Sequence, residues 1–170
     1  MDEIKSKFPK RKHPRLKYYD YSQNGSYFIT VCTKNNECIL GCVKTSKRNL
    51  FPPYIELSSL GKVAKKYICN INNVYEYISV DKYVIMPNHI HLLITIEHPY
   101  EPAVAEEQKK YTTVQTIVRS FKKMVAREIS DSIWQESFYE TILKNDESYY
   151  DVYEYIEKNP INWIADKYYR

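Results

Sequence analysis

Two strand-like segments joined by only two residues constrain the fold of this chain more than any other feature. Residues 77–86 and residues 89–96 are rich in β-branched and aromatic side chains, and only Pro87 and Asn88 separate them. Strands with so short a connection pair as an antiparallel hairpin. We therefore expect an antiparallel sheet that contains this hairpin.

The segments around the hairpin give a regular order of strands and helices, judged from their apolar spacing and their capping residues. In chain order we predict a strand at residues 27–33, a helix at 58–70, the hairpin, a helix that Thr112 or Thr113 caps and that ends near Ile129, and a strand at 133–143. Residues 34–57 are expected to be mainly loop, with one short strand.

This order is β-α-β-β-α-β, the pattern of the ferredoxin-like, split βαβ fold. It predicts an α+β domain in which helices cover one face of an antiparallel sheet and leave the other face free for a site. An additional C-terminal helix is capped by Asn145. This helix is expected to end near Lys158, because Pro160 disfavours helical backbone in the residue before it.

The length of 170 residues suits a single domain, expected over residues 26–170 after an arm of residues 1–25. No apolar run is long enough to span a bilayer. Residues 1–5 are not followed by an apolar segment of the kind that marks a secretory signal. We therefore expect a cytoplasmic protein without a membrane partner.

The positive charge of the chain is concentrated at its N-terminus. Residues 1–20 hold seven Lys/Arg and three acids, which equals the net charge of +4 of the whole chain. Such an arm fits phosphate contacts with nucleic acid or a solubilising tail, and charge alone does not separate the two. The candidate phosphate contacts are Lys10, Arg11, Lys12, Arg15 and Lys17 in the arm, and Arg119, Lys122 and Lys123 on the second helix. Tyr18, Tyr19 and Tyr21 could stack on bases or dock the arm on the body.

The second strand of the hairpin carries two histidines on one face. Because side chains alternate along a strand, His89 and His91 share a face with Leu93 and Thr95. The alternate residues face the helix-packed core; they are Ile90, Leu92, Ile94 and Ile96. Two imidazoles at this spacing on an uncovered sheet face can ligate one metal ion, although the same pattern also occurs as an ordinary half-exposed pair.

The last helix carries a tyrosine at the edge of its apolar stripe. Tyr149, Val152, Tyr153 and Ile156 form the stripe that faces the core. Tyr155 lies about 110° from the centre of this stripe, and Asn159 follows one turn later on the same edge. The helix can therefore present a phenol and an amide together, or Tyr155 can simply cover the margin of the core.

Several segments of the chain resemble one family in sequence and order. DKYVIMPNHIHLLI (residues 81–94) resembles the HUH motif region of single-tyrosine HUH transposases, most closely the REP-associated tyrosine transposases. The segments that follow in the same order are SFKKMVAREI (120–129), IWQESFYETILKNDESY (133–149) and YEYIEKNPINW (153–163). Residues 11–33 resemble the N-terminal segment of the family, and residues 34–57 match it least.

The resemblance implies a ferredoxin-like core and a set of site residues. Tyr155 matches the nucleophilic tyrosine, and His89 and His91 match the metal ligands of the HUH motif. Asn159 stands where relatives often place a third ligand, commonly Gln. The implied cofactor is Mg²⁺ or Mn²⁺, although two imidazoles and an amide bind zinc, nickel or copper more tightly.

The implied activity is that of a transposase acting on single-stranded DNA folded as a hairpin. Tyr155 would cleave the strand through a 5′-phosphotyrosine intermediate and later transfer it, in a monomer or a homodimer. The alternative is a non-catalytic protein that is derived from a transposase and binds single-stranded or hairpin nucleic acid. RNA-recognition domains have the same split βαβ fold and stack bases on exposed aromatic side chains of the sheet.

Overall fold

The computed structural model describes residues 19–45, 51–99 and 113–163. Its strands are β1 (Gly25–Cys32), β2 (Gly41–Lys44), β3 (Tyr54–Leu57), β4 (Ile78–Ile85), β5 (His89–Ile96) and β6 (Tyr139–Leu143). Its helices are α1 (Ser59–Val74), α2 (Val114–Ile129) and α3 (Asp146–Asn162), and a short 3₁₀ helix covers Lys34–Asn36.

The main sheet has four strands in the order β4-β5-β1-β6, and every neighbouring pair is antiparallel. Combined with the chain order β1-α1-β4-β5-α2-β6, this topology confirms the ferredoxin-like α+β prediction. The predicted tight hairpin is β4–β5, closed by a hydrogen bond that the Met86 N–H donates to the His89 carbonyl over 2.8 Å.

One face of the sheet forms the hydrophobic core with α1 and α2. The alternation predicted for β5 is confirmed, because Ile90, Leu92, Ile94 and Ile96 are fully buried on this face. Both helices begin at side-chain caps. Ser58 accepts a hydrogen bond from the Gly61 N–H, and Thr113, not Thr112, accepts one from the Thr116 N–H.

The opposite face is only partly free, contrary to the sequence prediction. Helix α3 packs on it against β4 and β5, and it buries Leu93 completely. The remaining uncovered area lies on β1 and β6, where Tyr139 is 51% exposed. We call this uncovered area the open strip; its residues are Phe28, Thr30, Tyr139 and Thr141. An amphipathic helix at the end of the chain must bury its apolar stripe, and half of this face supplies the surface.

Helix α3 also runs further than predicted. It begins at a capping box formed by Asn145 and Ser148, and it continues through Pro160 to Asn162. Pro160 lies in the last turn, so that its missing N–H costs a single backbone hydrogen bond. The C-terminal cap of the helix is formed by Trp163, whose N–H donates to the Asn159 carbonyl.

Two further predictions were wrong in detail. The described residues between 34 and 57 contain two short strands rather than one, because β2 and β3 pair as a separate antiparallel sheet. Strand β6 begins at Tyr139 rather than at residue 133, and the segment before it makes only an isolated bridge between Trp134 and Thr33. Ile133, Trp134 and Phe138 are nevertheless buried, so that this loop has the apolar pattern of a strand without its pairing.

No helix in the described part of the chain combines the length and the apolar run needed to cross a bilayer.

Candidate active site

Two imidazoles converge at the start of β5, on the face that α3 covers. The Nε2 atoms of His89 and His91 lie 3.1 Å apart, and their ring centroids are separated by 4.5 Å. His91 is only 6% exposed, whereas His89 is half-buried. The strand alternation therefore puts both side chains on one face, as predicted, and their rotamers aim the same ring nitrogen at one point.

The other nitrogen of each ring has its own partner. The Nδ1 atom of His89 lies 2.6 Å from the amide oxygen of Asn88, and the Nδ1 atom of His91 lies 2.8 Å from the hydroxyl of Thr30. The Asn88 carbonyl accepts two hydrogen bonds of 2.9 Å, from the N–H and the hydroxyl of Thr33. The hairpin turn is thus fixed to the end of β1, next to the site.

Burial keeps His91 neutral. Loss of solvation lowers the pKa of His91 well below its ordinary value of 6.5, and the neighbouring His89 acts in the same direction. A hydrogen bond to the Ile29 carbonyl opposes this shift of the pKa. A neutral imidazole keeps one lone pair available at physiological pH, which is the form that binds metals.

Tyr155 of α3 lies beside this histidine pair. Its ring centroid is 5.4 Å from that of His91 and 5.9 Å from that of Phe28 on β1, in edge-to-face contacts. Tyr155 is 44% exposed, which agrees with its predicted position at the edge of the apolar stripe. The phenol can therefore meet a solvent-borne substrate on the same side of the molecule as the imidazoles.

Asn159 occupies the turn of α3 that follows Tyr155. Trp163 follows Asn159 by one more turn on the same side of the helix, and its ring lies 5.8 Å from the His89 ring. Residues four apart on a helix lie one above the other, so that Asn159 lies between two side chains that both contact the histidines. Asn159 is 6% exposed. The stripe formed by Tyr155, Asn159 and Trp163 therefore covers the histidine pair.

The other tyrosines of α3 have different surroundings. The Tyr149 hydroxyl donates to Asp81 Oδ2 over 3.1 Å, and burial and the nearby Asp81 carboxylate raise the pKa of Tyr149 to about 12. The Tyr153 ring lies under the Lys82 ammonium at 4.3 Å, whereas Tyr150 is 66% exposed. Tyr149 and Tyr153 thus anchor α3 to β4.

The histidine pair has the donor chemistry and the spacing of two metal ligands. Adjacent ligands at right angles on an ion with bonds of about 2.1 Å lie about 3.0 Å apart, close to the separation of the two Nε2 atoms. Across residues 19–45, 51–99 and 113–163, no group of three His, Cys, Asp or Glu side chains forms a metal cluster.

The sequence profile of IS200-like transposases matches residues 24–159, which include the sheet, α1, α2 and most of α3. The chain belongs to the IS200-like transposase family. It is 36% identical to an uncharacterized protein of Haemophilus influenzae, over 94% of this chain and 93% of the relative.

A solved structure has the same fold as this transposase-family chain. It is a REP-associated tyrosine transposase bound to a REP hairpin, with a TM-score of 0.59 and 20% sequence identity. The match covers 88% of this chain and 74% of the other. At this identity the likeness concerns the architecture: a four-stranded antiparallel sheet with helices.

The candidate DNA-contact residues of this transposase-family member fall into three groups. Those of the arm, Lys10, Arg11, Lys12, Arg15 and Lys17, lie outside the described residues. Arg119 and Lys123 are exposed on α2, on the opposite side of the sheet from the histidines. Lys122 holds a loop, because its ammonium donates to the carbonyls of Gln135, Glu136 and Ser137 over 2.7, 3.1 and 2.9 Å.

The tyrosines near the arm support docking rather than stacking. Tyr21 is buried in the core, and Tyr19 contacts it edge to face at 4.9 Å between the ring centroids. The Tyr19 hydroxyl also lies 3.4 Å from that of Tyr27. Tyr18 lies outside the described residues.

Sequence reasoning missed several residues around the site. Asn88 adjoins the histidine motif and could have been found as a polar residue in a two-residue turn. Thr30 could not, because its contact with His91 depends on the pairing register of β1 with β5. The same holds for Phe28 and Tyr139, which the pairing of β1 with β6 brings to the open strip.

Proposed function

We propose that this chain is a metal-dependent endonuclease and strand transferase that cleaves hairpin-containing single-stranded DNA through a 5′-phosphotyrosine intermediate. The observation that carries the proposal is the contact of Tyr155 with His91, whose Nε2 atom lies 3.1 Å from that of His89. Membership of the IS200-like transposase family supports it, as does the fold shared with a tyrosine transposase bound to a REP hairpin.

In this mechanism His89, His91 and Asn159 would hold Mg²⁺ or Mn²⁺. The bound ion would supply positive charge to the scissile phosphate and so favour its attack by a weak nucleophile. Trp163 packs against His89 and is 4% exposed, so that it limits the access of water to this side of the site.

Tyr155 acts as the nucleophile. Its phenolic oxygen forms a bond to phosphorus while the bond from phosphorus to the 3′-oxygen breaks. The phenolic proton passes to solvent, and the departing 3′-oxygen takes a proton and becomes a free hydroxyl. The 5′-phosphate remains on Tyr155, and the 3′-hydroxyl of a second strand reverses the step to join two DNA ends without an external energy source.

The open strip offers a path for the bases next to the scissile phosphate. His91, Thr30 and Tyr139 form one row across neighbouring strands, because Thr30 pairs with both of the other residues. Two strand spacings put Tyr139 about 10 Å from His91. Exposed aromatic rings stack on unpaired bases regardless of their sequence. We propose that Tyr139 and Phe28 form this stacking surface, together with phosphate contacts from the arm.

A single chain contains every residue that the proposed mechanism uses. Tyr155 and the histidines of the same chain lie together, so that we propose a monomer or a homodimer in which each active site is complete within one subunit. The proposal excludes a site whose tyrosine must come from a second subunit.

The deciding experiment incubates the full chain with hairpin DNA and Mn²⁺ and resolves covalent protein–DNA adducts on a denaturing gel. We expect an adduct with the wild-type chain and with Tyr150→Phe, which alters an exposed tyrosine of the same helix. We expect no adduct with Tyr155→Phe. An adduct that persists in Tyr155→Phe contradicts the assignment of the nucleophile.

A second candidate function is hairpin binding without chemistry, which the exposed Tyr139 on the sheet favours. The same gel combined with a binding measurement by fluorescence anisotropy distinguishes it. Equal DNA binding by wild type and Tyr155→Phe in solution, with no adduct in either on the gel, supports a binding protein derived from a transposase.

A further inference from the structure

In each of the two site histidines, one ring nitrogen faces the other histidine and the second ring nitrogen faces a neutral side chain. His89 Nδ1 faces the amide oxygen of Asn88, and His91 Nδ1 faces the hydroxyl of Thr30. A neutral imidazole carries a single N–H, so that the partner of one nitrogen decides which nitrogen holds the lone pair. The two partners therefore control what the site offers to a cation.

Asn88 allows only one state of His89. An amide oxygen can accept but cannot donate, so that at 2.6 Å the Nδ1 atom of His89 must carry the proton. The Nε2 atom of the neutral ring then holds the lone pair. Asn88 is 2% exposed, and its main-chain carbonyl accepts hydrogen bonds from both the N–H and the hydroxyl of Thr33. The backbone that carries the side-chain acceptor is thus fixed in place before any ligand arrives.

Thr30 allows two states of His91, because a hydroxyl can both donate and accept. Two bare Nε2 atoms at 3.1 Å would repel each other, whereas a proton on His91 Nε2 makes a hydrogen bond to His89 Nε2. In that state the Thr30 hydroxyl donates to His91 Nδ1. If a cation took the place of this proton, His91 would carry its proton on Nδ1, where the Thr30 hydroxyl would accept it.

We propose that Asn88 and Thr30 are positioning residues: Asn88 fixes the Nδ1–H tautomer of His89, and Thr30 lets His91 change tautomer when a divalent ion binds. The part that concerns the ion rests on the proposed function. In both states every described polar atom of the histidine pair has a partner, which makes the site stable when it is empty and ready to bind without a change of rotamer.

The first test measures Mn²⁺ binding to the full chain by calorimetry in the absence of DNA. We expect Asn88→Ala and Thr30→Val to weaken binding by about tenfold or more, the usual effect of removing a partner of a ligating histidine. Asn88→Asp and Thr30→Ser keep an acceptor and a hydroxyl, respectively, and should bind within about threefold of wild type.

The matched controls are Asn72→Ala and Thr116→Val. Asn72 also accepts one hydrogen bond through its side chain, from the Val80 N–H, and the Thr116 hydroxyl contacts the Thr113 hydroxyl at the start of α2. Both variants should bind Mn²⁺ as wild type does. Thermal unfolding of each variant identifies any loss of affinity that comes from loss of fold. Thr30→Val conserves the side-chain shape and keeps the test valid if Asn88→Ala does not fold.

The second test is nitrogen NMR of ¹⁵N-histidine-labelled protein, which reports the tautomer of each ring. Without metal we expect the Nδ1–H form of His89 and the Nε2–H form of His91; with Mg²⁺ we expect the Nδ1–H form of both. One tautomer of His91 in both states, or unchanged Mn²⁺ affinity in Thr30→Val and Asn88→Ala, overturns the inference. If wild type binds no Mn²⁺, the proposed metal centre fails instead, and the metal-free spectra of wild type and Asn88→Ala still test the role of Asn88.

Discussion

The ring of Tyr155 lies 5.4 Å from the imidazole of His91, across the interface between α3 and the sheet. A helix at the end of the chain and a strand from its middle thereby contribute to one site. The contact depends on how α3 is anchored, through Tyr149 on Asp81 and Tyr153 under Lys82. The anchoring tyrosines and the exposed one therefore have separate roles.

Replacement of Asn159 should separate its ligand role from its packing role. We expect Asn159→Ala to weaken Mn²⁺ binding and to reduce the yield of covalent adduct by about tenfold or more, because the proposed amide ligand is lost. Asn159→Gln should retain both properties, since it keeps the amide. Lys158→Ala, an exposed neighbour in α3, is the control. Equal metal affinity in Asn159→Ala and wild type would remove Asn159 from the ligand set.

Tyr139 should contribute to the binding of unpaired DNA. We expect Tyr139→Ala to weaken the binding of a single-stranded oligonucleotide by about 1–3 kcal/mol, the usual contribution of one stacked base. Tyr139→Phe should bind normally, because stacking uses the ring and not the hydroxyl. The matched control is Tyr54→Ala, since Tyr54 is 57% exposed on the separate sheet. Fluorescence anisotropy measures all three, and equal losses in Tyr139→Ala and Tyr54→Ala would argue against a stacking site.

Lys122 should matter for stability more than for DNA binding. Lys122→Met removes three hydrogen bonds to loop carbonyls and should lower the free energy of unfolding by about 1–3 kcal/mol. Lys123→Met changes the exposed neighbour and should stay within about 0.5 kcal/mol of wild type. Urea unfolding gives both values. A stable Lys122→Met protein that binds DNA weakly would restore Lys122 as a phosphate contact.

The buried His91 should make the metal-free protein sensitive to acid. Burial lowers its folded-state pKa well below 6.5, so that below pH 6.5 the unfolded chain binds a proton that the folded chain does not. The free energy of unfolding should therefore fall as the pH drops from 6.5 toward the lowered pKa, and its contribution from His91 should be constant above that window. Urea titrations in EDTA should show that the free energy of unfolding depends less on pH in His91→Gln than in wild type. An unchanged slope in this variant would exclude His91 as its source.

The order of strands and helices could be predicted from the sequence because each element has a strong local signal. Alternation along β5 separates His89 and His91 from the buried Ile90 and Leu92, and only three residues connect β4 to β5. The predictions failed where a long-range contact overrides a local pattern. Ile133 and Trp134 lie in a buried loop, and α3 continues through Pro160 because the proline falls in its last turn.

The sequence by itself determined the ferredoxin-like order, the shared face of the two histidines and the edge position of Tyr155, since all three follow from periods of two or 3.6 residues. Only the tertiary structure decided that α3 covers half of that face, that Thr30 meets His91, and that Lys122 binds a loop. These contacts join residues far apart in the chain. They depend on strand register and helix docking, which local spacing does not encode.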